Sequence, residues 1–127
     1  MQLYKIYLIV LPFLIFCSCG RCIKPTSENV EELVKEYLVQ PVISNDWDYD
    51  GNRQLTFTNN SECYRIEITM VGYSVKGILD SDYRTSSANI YLVLPPKSTG
   101  TVEVNLGIAT KVGSVYSLLS HTHFSID

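Results

Sequence analysis

The apolar positions follow a helical period between residues 26 and 41, in the stretch TSENVEELVKEYLVQP. Apolar side chains recur at i, i+3, i+4, i+7 and i+8, with charged side chains between them, which predicts one amphipathic helix. Thr26 or Ser27 can cap it, and Pro41 ends it. We expect the apolar stripe to pack on a sheet, and a partner-binding helix is the alternative. The stripe consists of Val30, Leu33, Val34, Tyr37 and Leu38.

After Pro41 the pattern alternates, which predicts strands with one buried face. Residues 42–49 and 53–58 flank Asp50-Gly51-Asn52, a turn sequence, and predict a hairpin. One helix followed by about seven short strands favours a mainly β fold, an antiparallel β-sandwich or curled sheet with the N-terminal helix packed on it. The alternative is a cystatin-like α+β layout, with a helix before a meander. Further strands are predicted at 64–70, 73–79, 90–94, 101–106 and 115–126, the last one broken near Ser120.

The first residues have a different pattern, in which Lys5 precedes an apolar run from Ile6 to Cys17 and a small polar segment follows. This layout predicts a secretory signal peptide over residues 1–18. The run of about twelve residues is shorter than the roughly 20 that a membrane-spanning helix needs, and Pro12 would interrupt it. A retained anchor is therefore the less favoured interpretation.

The cysteines at the end of this run resemble the signal of bacterial lipoproteins, in which a small residue precedes a cysteine that becomes diacylated. In FCSC, Ser18 stands before Cys19. The resemblance implies that Cys19 carries the lipid, that residues 19–25 form a tether, and that the bilayer of a bacterial cell envelope is one partner. Two acyl chains hold a protein stably on a membrane. Plain secretion is the alternative.

A second resemblance concerns the domain itself, over residues 26–127. FTNNS, then a strand, then LPPKSTGTVEV is similar to the strand and turn rhythm of immunoglobulin-like or fibronectin-like domains in small bacterial lipoproteins. This resemblance implies a sandwich. For the domain as a whole, the hypothesis is a binding or assembly-support role with an unknown envelope protein as partner.

Size and charge restrict the possible functions. Removal of the leader leaves 109 of 127 residues, which suffice for one small domain. The formal charge of −3 becomes about −4 without Lys5, and no cluster of Lys or Arg exists, so we expect no nucleic-acid partner. Cys22 and Cys63 can pair in an oxidising compartment, although the place of Cys22 in the tether argues against it. Otherwise Cys63 is a small buried hydrophobe.

Three short patterns are candidates for a functional site. Asp46, Asp48 and Asp50 precede Gly51 as in the start of a calcium loop, but Phe57 stands where the bidentate Glu belongs, which favours a turn. His121 and His123 share one side of the predicted last strand and could supply two ligands to a transition metal. The third pattern is the pair Trp47 and Tyr49, beside the predicted hairpin tip, which is the candidate binding surface.

No hydrolase or phosphate-binding motif occurs, so we expect no catalytic residue, no cofactor and no enzyme activity. The favoured hypothesis is a membrane-tethered envelope lipoprotein that binds or supports an assembly. One alternative is a periplasmic or secreted inhibitor or immunity protein, which an aromatic and acidic loop would support. The other is a small metal-dependent hydrolase, which requires His121, His123 and nearby acids to converge in one pocket.

Overall fold

A computed structural model describes residues 22–44 and 46–127. Strands make up 55% of these residues and helices 10%, and all strand pairs are antiparallel. The elements in chain order are helix α1 (Val30–Tyr37), strands β1 (Leu38–Val39), β2 (Trp47–Asp48), β3 (Asn52–Asn59), β4 (Tyr64–Gly77), β5 (Arg84–Leu94), β6 (Ser98–Asn105) and β7 (Thr110–Ser117), a 3-10 turn (Leu119–His121) and β8 (Thr122–Ile126).

The strands divide between two sheets. The smaller sheet has the order β1-β3-β6, and the larger has the order β2-β7-β4-β5, with β8 also paired to β4. β4 is the central strand of the larger sheet because it pairs with β5 along one edge, and with β8 and then β7 along the other. This arrangement confirms the mainly β prediction, and two antiparallel sheets with one short helix are consistent with the predicted sandwich or curled sheet. The order is not that of a meander, which the cystatin-like alternative required.

One core fills the space between the sheets. Alternate residues of β4 point into it, because successive side chains of a strand face opposite sides, and they are fully buried beside Leu55 and Phe57 of β3. Tyr64 is the largest of the fully buried side chains, and its ring lies 5.4 Å from the rings of Tyr37 and Phe124. The helix, the start of β4 and β8 therefore share one apolar cluster.

The helix is shorter than the periodicity predicts. Thr26 and Asn29 form a turn before it, with the Thr26 amide donating to Asn29 Oδ1 (2.7 Å) and the Asn29 amide donating to Thr26 Oγ1 (3.2 Å). At the other end, Leu38 and Val39 leave the helix and pair with Asn59 and Thr58 of β3. The residues predicted to form the last turn of the helix therefore belong in part to strand β1. Leu33 and Val34 of the predicted stripe are buried against the sheets, as expected.

The predicted hairpin over residues 42–58 is wrong. Gly51 does adopt the positive φ (+79°) that the turn prediction implied. The strands on its two sides, however, belong to different sheets, since β2 pairs with β7 and β3 pairs with β6 and β1. The predicted strands 64–70 and 73–79 are one strand, β4, that continues through an irregular register between Ile68 and Met70. The predicted break near Ser120 is confirmed as the 3-10 turn.

A disulfide joins Cys22 to Cys63, whose Cα atoms are 6.4 Å apart, a separation within the ordinary range for such bonds. The buried Tyr64 hydroxyl donates to the Ile23 carbonyl next to it. The segment from Cys22 onward is therefore attached to the domain, although the sequence predicted a tether over residues 19–25. Within the described ranges, none of the helices has the length and apolar character needed to cross a bilayer.

Candidate functional site

Large apolar side chains are exposed at the end of the larger sheet where β4 finishes. Gly77, the last residue of β4, pairs with Thr110 of β7, and Thr110 pairs with Asp48 of β2. The side chains just beyond this row are exposed although they are apolar, by 71% for Tyr49, 74% for Ile108 and 96% for Leu79. We call this region the distal end, since β4 separates it by about 40 Å from Tyr64 and the disulfide. Its exposed members are Trp47, Tyr49, Ile78, Leu79, Tyr83 and Ile108.

Trp47 and Tyr49, the predicted binding pair, lie at the distal end. Contacts of Asp48, on the opposite face of the short strand β2, hold this segment in place. Asp48 pairs with the guanidinium of Arg53, whose side chain is 9% exposed, and accepts the amides of Asp50 and Gly51 at 3.2 Å. Neighbouring residues of a strand point to opposite faces. Asp48 therefore faces the Arg53 side, and Trp47 extends to the other. Tyr49 follows the end of β2 and is exposed.

The turns at this end pack on each other. A Cβ on Gly51 would lie 2.3 Å from the Gly107 carbonyl oxygen, so glycine is required at this contact as well as by its positive φ. The Leu106 amide donates to the Gly51 carbonyl (2.9 Å), and Asn105 Nδ2 donates to the Asp50 carbonyl (3.0 Å). These hydrogen bonds fix the backbone of the turn that follows Trp47 and Tyr49.

A row of four side chains crosses the outer face of the larger sheet next to the distal end. Trp47 pairs with Lys111, and Lys111 pairs with Lys76, so their side chains share one face. Lys111 Nζ lies 6.0 Å from the Trp47 ring centroid, and Lys76 Nζ lies 5.5 Å from that of Tyr83, which precedes β5. Gly113 of β7 leaves room for the Tyr83 ring. Two ammonium groups thus lie between two aromatic rings.

The three aspartates of the calcium-like pattern have separate structural roles. Asp46 accepts a hydrogen bond from Ser44 Oγ (2.9 Å), Asp48 binds Arg53, and Asp50 accepts the Asn52 amide (3.1 Å). In the part of the chain that the structure describes, no group of three His, Cys, Asp or Glu side chains could hold a metal. The contacts around these aspartates are those of turn residues.

The dependence of the protein's thermal stability on pH should involve Asp48. A hydrogen bond with the Asp50 side chain, then the Gly51 and Asp50 amides and the Arg53 charge, lower the pKa of Asp48, although desolvation opposes them. A lowered pKa in the folded state stabilises the fold above the unfolded-state pKa of about 3.9, and this contribution is lost as pH falls through the folded-state value. Asp48→Asn should therefore lower Tm at pH 7, and its difference from wild type should shrink toward pH 3.

Thermal unfolding followed by circular dichroism at pH 7, 5 and 3 tests this dependence. Asp46→Asn removes the same charge from an exposed position two residues away and is the matched control. At pH 7 the control should melt above Asp48→Asn. Equal Tm values for both variants across this range would show that Asp48 does not stabilise the turn.

The two histidines are not brought together in one strand. His121 ends the 3-10 turn, where its Nδ1 is 3.0 Å from Ser120 Oγ, and His123 lies in β8 opposite Glu67. His123 lines a groove of about 510 Å³ between the start of the helix and β8, together with Glu28 and Glu31, but His121 does not. His121 and His123 therefore do not converge with nearby acids in one pocket, as the metal-dependent hydrolase hypothesis requires.

Lys76 and Lys111 could not be identified from the sequence, because their position beside Trp47 depends on the register between strands that are distant in sequence. No local pattern marks Ile108 as exposed. Tyr83 is one of several tyrosines that could belong to a recognition surface, and sequence periodicity does not separate that role from ordinary packing in a sheet. The predicted lipid-attachment residue Cys19, together with the leader, lies outside the described residues.

Three comparisons with known proteins found no match: no family model and no curated protein matches the sequence, and no solved structure matches the fold.

Proposed function

We propose that this protein is an envelope lipoprotein, anchored to a membrane through acylated Cys19, whose domain binds a partner at its distal end and has no catalytic role. The exposed aromatic and apolar side chains of the distal end carry the proposal, because side chains such as Trp47 and Tyr49 dominate binding surfaces. Isolated exposed apolar residues are common, whereas a group of them at one end of a sheet is typical of interaction sites.

The disulfide supports the membrane-distal position of this surface. If Cys19 is acylated, only the chain between residues 19 and 22 separates the lipid from the bridged Cys22, a reach of about 10 Å. The domain would then stand with Tyr64 close to the bilayer and the end of β4 about 40 Å further out. Trp47 and Tyr49 would face away from the membrane, where a partner can reach them.

Intact-mass analysis and membrane fractionation test the anchor. Wild-type protein is expected to carry a diacylglycerol-sized addition and to sediment with membranes, and Cys19→Ala is expected to lose both properties. Cys17→Ala is the matched control, because it removes a neighbouring thiol that lies within the predicted leader, and it should behave as wild type. A wild-type protein that is unmodified and remains in the soluble fraction would contradict the anchor and favour the secreted alternative.

A further inference from the structure

We propose that the row Trp47, Lys111, Lys76 and Tyr83 is a binding site for a carboxylated polysaccharide, a chain of sugar rings that carry carboxylate groups. This inference names a ligand class for the binding role proposed above and rests on that role. Four observations carry it: the alignment of the row, the lack of salt bridges at its lysines within the described ranges, its span and its distance from the disulfide.

The alignment presents rings and cations together on one exposed face. Trp47 and Tyr83 are exposed by 39% and 42%, and each lies beside a lysine at cation–π distance. Aromatic rings on a flat protein surface pack against the C–H faces of sugars, and ammonium groups donate charge-assisted hydrogen bonds to carboxylates. The row therefore offers both contacts that an acidic sugar chain needs.

The two lysines are available for an anionic ligand. Within the described ranges, no carboxylate lies within salt-bridge distance of Lys76 or Lys111, whereas Lys35 and Lys97 are paired with glutamates. The nearby Asp80 accepts the Gly77 amide (2.8 Å) and Arg84 Nη1 (3.4 Å). These bonds and the charges of Arg84 and Lys76 lower the pKa of Asp80, although Lys76 is beyond salt-bridge distance. Two neighbouring cations without salt bridges on a protein of net charge −3 indicate a ligand of opposite charge.

The span of the row favours a polysaccharide over the other acidic polymers. Strands are about 4.8 Å apart, so the row crosses about 14 Å from β2 to the start of β5, which a few consecutive sugar rings would cover. A nucleic acid needs a longer track of cations to neutralise its phosphates. The bilayer that would hold Cys19 is excluded as the ligand, because the row lies toward the far end of β4.

The test uses the processed full-length protein and polygalacturonate immobilised on a biosensor surface at about 0.15 M salt. Lys76→Gln/Lys111→Gln should weaken binding at least about tenfold, since two charge-assisted hydrogen bonds are lost. Trp47→Ala should weaken it by a similar factor. The matched control is Lys24→Gln/Lys35→Gln, which makes the same change of charge at exposed positions outside the row and should bind within about twofold of wild type.

Three further polymers decide the ligand class. Dextran lacks carboxylates, polyglutamate is an acidic peptide, and oligothymidylate is a single-stranded nucleic acid, and each should bind at least about tenfold more weakly than polygalacturonate. Absence of polygalacturonate binding, equal affinities of the two double variants, or preferred binding of another polymer would overturn the proposal.

The outcome is separable from that of the anchoring test. If the wild type is bound to membranes but binds none of the four polymers, the proposal of a tethered binding module stands and the proposal of this ligand fails. If the protein carries no lipid but binds polygalacturonate through Lys76 and Lys111, the proposal of this ligand stands and the proposal of a lipid tether fails.

Discussion

Asn59→Asp is expected to destabilise the fold by at least about 4 kcal/mol, a large part of the stability of a typical small domain. Asn59 is fully buried where the two sheets meet. Its Nδ2 donates to the carbonyls of Tyr64 (2.8 Å), Leu94 (2.9 Å) and Pro95 (3.1 Å), and its Oδ1 accepts the Ser61 amide and hydroxyl. The substitution keeps the shape of the side chain but directs a buried carboxylate at three carbonyl oxygens.

Urea unfolding at pH 7 measures this effect. Asn60→Asp introduces the same charge at the exposed neighbouring position and should change stability by no more than about 0.5 kcal/mol. Lowering the pH should reduce the defect of Asn59→Asp, because the introduced carboxyl can then be protonated and donate one hydrogen bond. A difference between the two variants below about 1 kcal/mol would show that Asn59 does not join the sheets as described.

Loss of the disulfide is expected to cost about 4 kcal/mol. The bridge closes a loop with a sequence separation of 41 residues, and the entropy that such a crosslink removes from the unfolded chain corresponds to about this value. Cys22→Ser/Cys63→Ser should therefore unfold at a much lower urea concentration than wild type. The bridge also fixes the segment that contains Ile23, so the variant should expose the Tyr64 hydroxyl.

A reductant provides the control for this prediction. Dithiothreitol should lower the unfolding midpoint of wild type toward that of Cys22→Ser/Cys63→Ser and should leave the variant unchanged. If reduction does not change the wild-type midpoint, the bridge does not stabilise the domain.

The fold class was predictable because burial of one strand face leaves a local pattern. The alternation in Tyr64, Ile66 and Ile68 is the same in the sequence and in β4, and all three side chains are buried. The helix was predictable for the same reason, but its end was not. Leu38 continues the helical stripe in sequence, and only its pairing with Asn59 shows that it belongs to a strand.

The errors concern pairing between distant segments. Asp50-Gly51 indicates a turn correctly, yet turn chemistry cannot state whether the next strand returns to the same sheet, and here it does not. The disulfide could not be predicted for a similar reason, because the position of Cys22 depends on contacts of Ile23 with the buried Tyr64.

The candidate site was predictable in part. Trp47 and Tyr49 were identified from their composition and their turn, and both are exposed at the distal end. The lysines in the row with Trp47 are far from it in the sequence, since Lys76 and Lys111 follow Trp47 by 29 and 64 positions. Lys76 and Lys111 lie beside each other because of the register between β4 and β7, and Trp47 lies beside Lys111 because of the register between β2 and β7. The resemblance to immunoglobulin-like domains, the lipid anchor and the envelope location stay predictions.

Trp47 offers the most direct test of the central claim, that the domain is anchored at its disulfide end and presents the distal end away from the membrane. It is the only tryptophan in the chain, so its fluorescence reports one position. The measurement uses wild-type protein reconstituted in phospholipid vesicles, with nitroxide-labelled lipids as one quencher and aqueous acrylamide as the other. We expect the protein to float with the vesicles, acrylamide to quench Trp47 and the nitroxide lipids to leave it bright. Strong quenching by the nitroxide lipids, or failure to float with the vesicles, would contradict the account.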